Sequence, residues 1–184
     1  MLSSVIDYIN TQLGTLNMYE KTHSLCDLIT NNDITFPAEY CNGEYKSAVE
    51  FTNYQGVVYH RLDGNIRIEQ SNEESSTGCG IYTKKTYPMR SVFCVKKRQN
   101  AYSQEEMINN IEVVISGQNI KSVADAVGME NVSIELNGAI TDRDKLYQDE
   151  QKTDNKVGFE FAYFAVLYDV IIEGDLSCQT LISC

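Results

Sequence analysis

Four acidic residues lie close together ahead of the last apolar stretch, at a spacing that would let them hold a divalent cation. Asp142 and Asp144 form a D-x-D pair, and Asp149 and Glu150 follow shortly after. Carboxylate oxygens are the ligands that Mg²⁺ and Ca²⁺ prefer in proteins. Because basic residues alternate with the first acids and the EF-hand glycine is missing, we favour a solvated polar loop over a metal site.

The chain has two histidines, and a nucleophilic triad would need one of them beside a serine or a cysteine. They are His23 and His60. His60 follows an apolar run and precedes Arg61, a position typical of a histidine that packs in the core or points to solvent. The sequence has no glycine-rich loop of the kind that cradles phosphate groups. We therefore expect no catalytic residue, no metal site, no cofactor and no enzymatic activity.

The strongest local concentration of basic charge lies between residues 81 and 98, where 6 of the 15 basic residues fall and no acid occurs. These residues are Lys84, Lys85, Arg90, Lys96, Lys97 and Arg98. Such a run is typical of a face that docks onto an acidic partner, with DNA phosphate as the second choice of ligand. The alternative is neutralisation by Glu69, Glu73 and Glu74 on the facing strand, and the sequence does not choose between the two.

Composition limits the class of protein. The 184 residues have a mass of 20.8 kDa, and 42% are hydrophobic and 22% charged, as in a soluble globular domain. No apolar run approaches the roughly 18 residues that a membrane-spanning helix needs, so we expect no membrane association. The N-terminus lacks the basic start of a signal peptide. A net charge of −11 disfavours general nucleic-acid binding, since phosphate affinity comes from Lys and Arg.

The even number of cysteines raises the question of disulfides. The six are Cys26, Cys41, Cys79, Cys94, Cys178 and Cys184. No pair has C-x-x-C spacing and no histidine lies near a cysteine, which argues against zinc. Without an export signal the thiols stay reduced, so we expect all six to be unpaired. Cys26 and Cys94 fall inside apolar runs and are expected in the core, whereas Cys184 ends the chain.

Helical periodicity recurs in three places. Leu2, Val5, Ile6, Ile9 and Leu13 predict an amphipathic first helix that Gly14 ends, with Ser4 and Asp7 as a partial capping box. Ser103 and Glu106 form a complete capping box before a second helix, and Gly128 closes a third, shorter one. These patterns predict three helices.

Strand patterns occupy the first half and the end of the chain. Residues 25–29 favour a strand, and residues 34–40 predict an edge strand or one that ends at Pro37. Residues 57–98 predict β-structure throughout, with a hairpin turn at Asp63-Gly64 and an interruption at Pro88.

The end of the chain carries the clearest strand signal. Residues 132–136 alternate as in a half-exposed strand, and the stretch from Phe159 to Ile172 is apolar on both faces, as in a central strand covered on both sides. The sequence therefore predicts one α+β domain over residues 1–184. We expect a largely antiparallel sheet, a few flanking helices, a long protruding β-hairpin with a mobile tip at 71–80, and a polar loop at 139–157 that allows one helical turn around Leu146 and Tyr147.

The order of these elements, with the residues in them, resembles that of a known protein family. The N-terminal helix is followed by the edge Phe36-Pro37-Ala38-Glu39-Tyr40, a hairpin arm ending in Thr86-Tyr87-Pro88-Met89-Arg90-Ser91-Val92, a capped helix, and a last strand from Phe161 to Val170. This order resembles that of the neck or tail-terminator ring proteins of tailed bacteriophages, in particular those of the crAss-like phages that infect Bacteroides. The resemblance covers most of the chain and contains no short diagnostic motif.

The resemblance implies a structural, non-enzymatic role. Such a head–tail connector subunit would be made in the host cytoplasm and would reside in the virion. Its partners would be further copies of itself in a ring and other neck, portal or tail proteins. Genomic DNA would pass through the ring without sequence-specific binding, and an acidic lumen would keep phosphates from adhering.

Two alternatives from other functional classes stay open. One is a small cytosolic metal-dependent hydrolase that uses Asp142, Asp144, Asp149 and Glu150. The other is a monomeric module whose basic hairpin binds a protein partner. Native mass separates the ring subunit from both, and stabilisation by metal ions would favour the hydrolase.

Overall fold

The computed structural model describes residues 1–48, 54–74, 81–97, 102–116, 120–150 and 160–175, which form four helices and eight strands. The helices are α1 (Leu2–Gly14), α2 (Gln104–Ile115), α3 (Lys121–Val127) and α4 (Arg143–Glu150). The strands are β1 (Lys21–Asn31), β2 (Ile34–Cys41), β3 (Glu44–Ser47), β4 (Gly56–Leu62), β5 (Arg67–Glu74), β6 (Ile81–Lys96), β7 (Asn131–Ile140) and β8 (Phe161–Asp175). The predicted α+β class is confirmed.

All eight strands belong to one mainly antiparallel sheet. Seven follow the order β3-β2-β1-β4-β6-β8-β7, and β5 pairs with β6 beyond the end of β4. The exception to antiparallel pairing is β1 with β4. β6 and β8 are paired from Tyr82 opposite Asp175 to Lys96 opposite Phe161 and form the long axis of the sheet.

Three helices, α1, α2 and α3, cover one face of this sheet. The predicted apolar stripe of α1 is buried there, at Val5, Ile6, Ile9 and Leu13. It belongs to the same core as Phe93 on β6 and Phe164 on β8, whose rings stack with centroids 5.2 Å apart. The periodicity in the sequence therefore identified the core-facing side of α1.

The helix caps test the sequence patterns locally. Glu106 N–H donates to Ser103 Oγ at 3.2 Å, and Ser103 N–H donates to Glu106 Oε2 at 2.7 Å, which confirms the capping box of α2. Gly128 ends α3 in the left-handed conformation, with φ of 69°. The partial box predicted at Ser4 is wrong, because α1 already begins at Leu2 with Met1 as its N-cap.

The opposite face of the sheet carries a second, smaller core under α4. Phe161, Tyr163 and Ala165 of β8 pack there with Leu146 and other residues, whereas the alternate residues of β8 face the three helices. The prediction that the last strand is covered on both sides is confirmed for residues 161–166, whereas Leu167, Asp169 and Glu173 further along are only half-buried.

Residues 139–157 were expected to form a polar loop, and much of that segment is regular structure. β7 extends to Ile140, and residues 143–150 form α4, which buries Leu146, Tyr147 and Glu150. Residues 151–157 lie outside the described part of the chain. The sequence allowed one helical turn around Leu146 and Tyr147, and the helix extends beyond it at both ends. The surrounding charge obscured its full length, since a short helix needs only a narrow buried face.

The hairpin predictions change in two ways. Asp63-Gly64 is not a hairpin turn, because β4 and β5 both pair with β6 and follow one another along its edge. A hairpin that protrudes from the sheet is not confirmed, because β6 also pairs with β8 along its other edge. Residues 71–74 of the predicted tip belong to β5, and residues 75–80 lie outside the described residues.

Neither proline ends its strand. Pro88 O accepts a hydrogen bond from Asp63 N–H at 2.8 Å, so its backbone faces the break between β4 and β5, where no strand requires the N–H that proline lacks. Pro37 O accepts from Ala48 N–H at 2.9 Å, just beyond the last pair of β2 with β3. β2 therefore lies between β1 and β3, although an edge position was predicted.

Candidate functional site

The most unusual chemistry in the described residues is a buried carboxylate between two arginines. Arg61 on β4 and Arg90 on β6 are direct cross-strand partners, and the fully buried side chain of Glu150 reaches them from α4. Arg61 Nε donates to Glu150 Oε1 and Oε2 at 2.8 and 2.9 Å, and Arg90 Nη1 donates to Oε1 at 2.8 Å. Tyr59 OH donates to Oε2 at 3.1 Å. We call Tyr59, Arg61, Arg90 and Glu150 the arginine–carboxylate cluster.

Strand periodicity places the donors of this cluster on one face. Tyr59 and Arg61 are two residues apart on β4, so their side chains point to the same side of the sheet, and Arg90 lies opposite Arg61. On α4, Glu150 lies one turn after Leu146, so both side chains face the sheet. Asp142 Oδ1 accepts hydrogen bonds from the N–H groups of Asp144 and Lys145 and caps this helix.

Two further acids contact Arg90 from the rim of the cluster. Asp63 Oδ1 accepts a hydrogen bond from Arg90 Nη2, and Asp149 Oδ2 lies 3.5 Å from Arg90 Nη1. Burial alone would lower the pKa of Arg90, but the Glu150 and Asp63 carboxylates outweigh it and raise that pKa. Burial raises the pKa of Tyr59 far above its ordinary value, so Tyr59 stays protonated and donates.

A second polar cluster is buried on the opposite face, under α1. His60 and Ser91 are cross-strand partners, and His60 Nδ1 lies 2.6 Å from Ser91 Oγ. Ser91 Oγ lies 2.9 Å from Tyr168 OH, and His60 Nε2 lies 2.9 Å from Asn10 Oδ1 on α1. Asn10 Nδ2 donates to the carbonyl of His23 at 3.2 Å. This histidine chain links α1 to the middle of the sheet.

The donor in each hydrogen bond of the histidine chain follows from the Asn10 amide oxygen at one end of it. Asn10 Oδ1 only accepts, so His60 carries its proton on Nε2, and its Nδ1 accepts from Ser91. Ser91 in turn accepts from Tyr168. Burial, with a smaller contribution from His23, lowers the pKa of His60 to about 3, so His60 is neutral in the folded chain.

His60 and Ser91 have the contact that a nucleophilic pair requires, but both are completely buried. A nucleophile must reach its substrate, and neither side chain is exposed to solvent in this conformation. The arrangement serves instead to satisfy polar groups inside the core and to fix α1 on the sheet. Of the two positions expected for His60, packed in the core or pointing to solvent, the structure has the first.

The basic residues of segment 81–98 do not form one surface. Lys84 and Lys85 are adjacent in β6 and therefore point to opposite faces of the sheet. Lys84 Nζ lies 3.7 Å from Glu173, and Lys96 lies over the ring of Phe161 at 5.7 Å. Twelve residues of strand, about 40 Å at the usual rise per residue, separate these two lysines.

Arg90 corrects the predicted docking face most directly. Its side chain is 8% exposed and bound to Glu150, so it is not part of an accessible surface. Lys97 is exposed and remains a candidate for contact with a partner, and Arg98 lies outside the described residues. The predicted neutralisation of these basic residues by acids of the facing strand is found only in part. Glu69 of β5 lies opposite Lys84 as expected, but the carboxylate that forms the ion pair with Lys84 belongs to Glu173 of β8.

The four predicted carboxylates have separate roles. Asp142 caps α4, Asp149 lies at the rim of the arginine–carboxylate cluster, and Glu150 lies at its centre. The expectation of a solvated loop is therefore wrong for Glu150. In the described ranges, no three His, Cys, Asp or Glu side chains are grouped as a metal site requires.

Three cysteines fall within the described residues. Cys26, Cys41 and Cys94 are free thiols there, and Cys26 and Cys94 are buried as expected. Burial and the nearby charges of Glu39, Asp27 and Glu150 raise the pKa of Cys26 to about 12. Cys79, Cys178 and Cys184 lie outside the described part of the chain.

An exposed apolar surface lies near the β3 edge of the sheet. Tyr40 on β2 and Tyr45 on β3 are cross-strand partners, 62% and 48% exposed, with ring centroids 5.1 Å apart in an edge-to-face arrangement. Ile34, on the same face of β2, is also exposed. We call Ile34, Tyr40 and Tyr45 the tyrosine edge.

Comparison with protein-family models finds no match, and comparison with curated proteins finds no relative. Within the described residues, no helix is long and apolar enough to cross a membrane. Function is therefore inferred from the residues themselves.

Sequence reasoning missed both buried clusters. The arginine–carboxylate cluster had a detectable signal, because Leu146, Tyr147 and Glu150 have helical spacing and Arg61 directly follows a buried strand. The histidine chain had none. His60 and Ser91 are 31 positions apart, and only the register of β4 against β6 brings them together.

Proposed function

We propose that the chain is a non-catalytic structural subunit that assembles into a homo-oligomeric ring, of the kind that lies between portal and tail in the neck of a tailed phage. The observation that carries this proposal is the tyrosine edge. Tyrosine is enriched where chains associate, and Tyr40 and Tyr45 present a pair of contacting, exposed rings across β2 and β3. The resemblance in element order adds the ring as the form of assembly.

The two edges of the sheet support a head-to-tail contact. In the described chain, β3 and β7 are the terminal strands of the sheet, and they are different strands. Edge-to-edge pairing of β3 with β7 of the next copy would therefore be heterologous, and such contacts close into rings when the rotation allows. Among described residues, the outer edge of β7 makes one backbone hydrogen bond, from Ile120 N–H to Val132 O.

Charge supports passage of DNA rather than binding of DNA. The net charge is −11, and the basic residues of segment 81–98 are divided between two faces and two ends of β6. A ring built from such subunits would repel phosphates over most of its surface, which favours sliding over adhesion.

The hydrolase alternative has less support. A metal site built on the four carboxylates would need Asp142 to leave the N-cap of α4 and Glu150 to leave its two arginines. Arg61, which is largely buried, would then have no counter-charge among the described residues, and such a loss is costly. The non-enzymatic proposal requires neither change.

The experiment compares the native mass of the wild type with that of Tyr40→Ser/Tyr45→Ser. We expect a wild-type oligomer and a double variant that is shifted to the 20.8 kDa monomer. Val113→Ser, on an exposed position of α2, is the control and should assemble like the wild type. A wild type that stays monomeric, or a double variant that assembles normally, would contradict the proposal.

A further inference from the structure

The arginine–carboxylate cluster is divided unequally between the sheet and α4. All donors to the Glu150 carboxylate come from the sheet, namely Tyr59 and Arg61 of β4 and Arg90 of β6. α4 contributes the acceptor alone. The sheet is the more rigid partner, because β4 and β6 are paired over seven residues from Gly56 to Leu62 and β6 is paired with β8 on its other side.

The donors match the shape of a carboxylate. Arg61 donates to both oxygens of Glu150, Arg90 donates to Oε1, and Tyr59 donates to Oε2, so each oxygen has at least two donors. Arg–carboxylate pairs of this forked kind are among the strongest charge-assisted hydrogen bonds. The pattern is that of a binding site with its ligand in place.

The sheet also presents more hydrogen-bond donors at this point than the Glu150 carboxylate binds. Arg90 is 7% exposed, and its buried Nε has no hydrogen-bond partner among the described residues. Two guanidinium groups face one buried carboxylate, while Asp63 and Asp149 are more exposed and bind Arg90 from the rim. If Glu150 is removed, Arg90 keeps Asp63 and Asp149 as counter-charges, whereas Arg61 keeps no ion pair among the described residues.

We propose that Tyr59, Arg61 and Arg90 form a carboxylate-binding site built by the sheet, and that Glu150 is its internal ligand. The site takes a free carboxylate when the Glu150 carboxylate is absent. The Glu150 carboxylate is thus the buried attachment of α4 to the sheet, beside the apolar contacts of Leu146 and Tyr147 and two contacts at its rim, from Asp149 to Arg90 and from Arg143 to the carbonyl of Phe161. This site is independent of the ring proposal.

The test is chemical rescue of Glu150→Ala by formate or acetate, with sodium chloride at equal ionic strength as the reference. We expect the variant to melt below the wild type in chloride. Above the dissociation constant, each tenfold increase in carboxylate should raise its melting temperature by about 3–6 °C. The wild type should show no such carboxylate-specific rise, because Glu150 fills the site.

The control is Asp149→Ala, which removes a neighbouring carboxylate that is 40% exposed and lies at the rim. It should respond to formate as the wild type does. Stabilisation of Glu150→Ala by phosphate but not by formate or acetate would contradict the carboxylate assignment, and an equal response of all three proteins would overturn the site.

Two further measurements apply if Glu150→Ala is unfolded in chloride. A cooperative melting transition that appears on adding formate supports the site, and its absence in both salts overturns it. Glu150→Gln keeps the shape but loses the charge, so we expect a lower melting temperature than the wild type. A Glu150→Gln protein as stable as the wild type would show that no oxyanion is required there.

Discussion

Arg61 and Arg90 lie directly opposite each other on β4 and β6, and both donate to the carboxylate of Glu150. Like charges at directly opposed positions of a sheet destabilise it. Their placement is tolerated because a buried carboxylate lies between them. The same contact holds α4 against the face of the sheet that the other helices leave open.

This geometry predicts that Arg90 contributes far more to the free energy of unfolding than its exposed neighbours on β6. Arg90→Ala leaves Glu150 buried with one arginine fewer and should cost about 3–5 kcal/mol of unfolding free energy. Lys84→Ala removes a lysine that is 38% exposed and 3.7 Å from Glu173, and should cost less than about 1 kcal/mol. Urea unfolding of both variants measures the difference. Equal costs would show that the buried network does not stabilise the fold.

His60 predicts a pH dependence of stability. Its pKa is about 3 when folded and near its ordinary 6.5 when unfolded, so the unfolded chain binds the extra proton between these values. The contribution of His60 is therefore complete above pH 6.5 and is lost as the pH falls towards 3. In that window, His60→Gln should reduce the slope of unfolding free energy against pH by about 1.4 kcal/mol per unit. An unchanged slope in urea titrations between pH 4 and 6 would contradict the buried neutral histidine.

Two substitutions rank the central strand against the cap of α4. Phe164 is fully buried and stacks on Phe93, so Phe164→Ala should cost about 3–5 kcal/mol through lost burial and a cavity. Asp142→Ala removes the cap of α4 and should cost about 1 kcal/mol, more than a solvated loop residue would. Thermal unfolding measures both. A Phe164→Ala protein as stable as the wild type would refute the placement of β8 in the core.

Thiol labelling should separate the cysteines by burial. Cys26 and Cys94 are buried, and burial raises the pKa of both, so the reactive thiolate is scarce. Alkylation of the native protein should modify the half-buried Cys41 at least about tenfold faster than either. After denaturation, mass spectrometry should find all six cysteines alkylated. Fewer than six labels, with two hydrogens missing per pair, would indicate disulfides.

The parts of the fold that the sequence predicted are those with local causes. The stripe of α1, the capping box at Ser103 and Glu106, and the apolar run of β8 depend on neighbours a few residues away. The parallel pairing of β1 with β4 and the placement of β5 beyond β4 depend on distant segments. Composition and periodicity carry no information about such pairings.

The buried polar clusters could not be predicted for the same reason, because their members are far apart in the sequence. A buried glutamate is rare, and the charges around Glu150 in the sequence favoured solvent over burial. Its two arginines come from positions 89 and 60 residues earlier, so the compensation is visible only in the folded chain. Pro88 was misjudged for a related reason, since its missing N–H matters only if a strand lies opposite it.

The native mass of the wild type, measured by mass spectrometry up to the highest soluble concentration, tests the proposed ring subunit most directly. We expect a closed assembly whose mass is a whole multiple of 20.8 kDa and which Tyr40→Ser/Tyr45→Ser reduces to single chains. A wild-type protein that remains at 20.8 kDa at every concentration would contradict it.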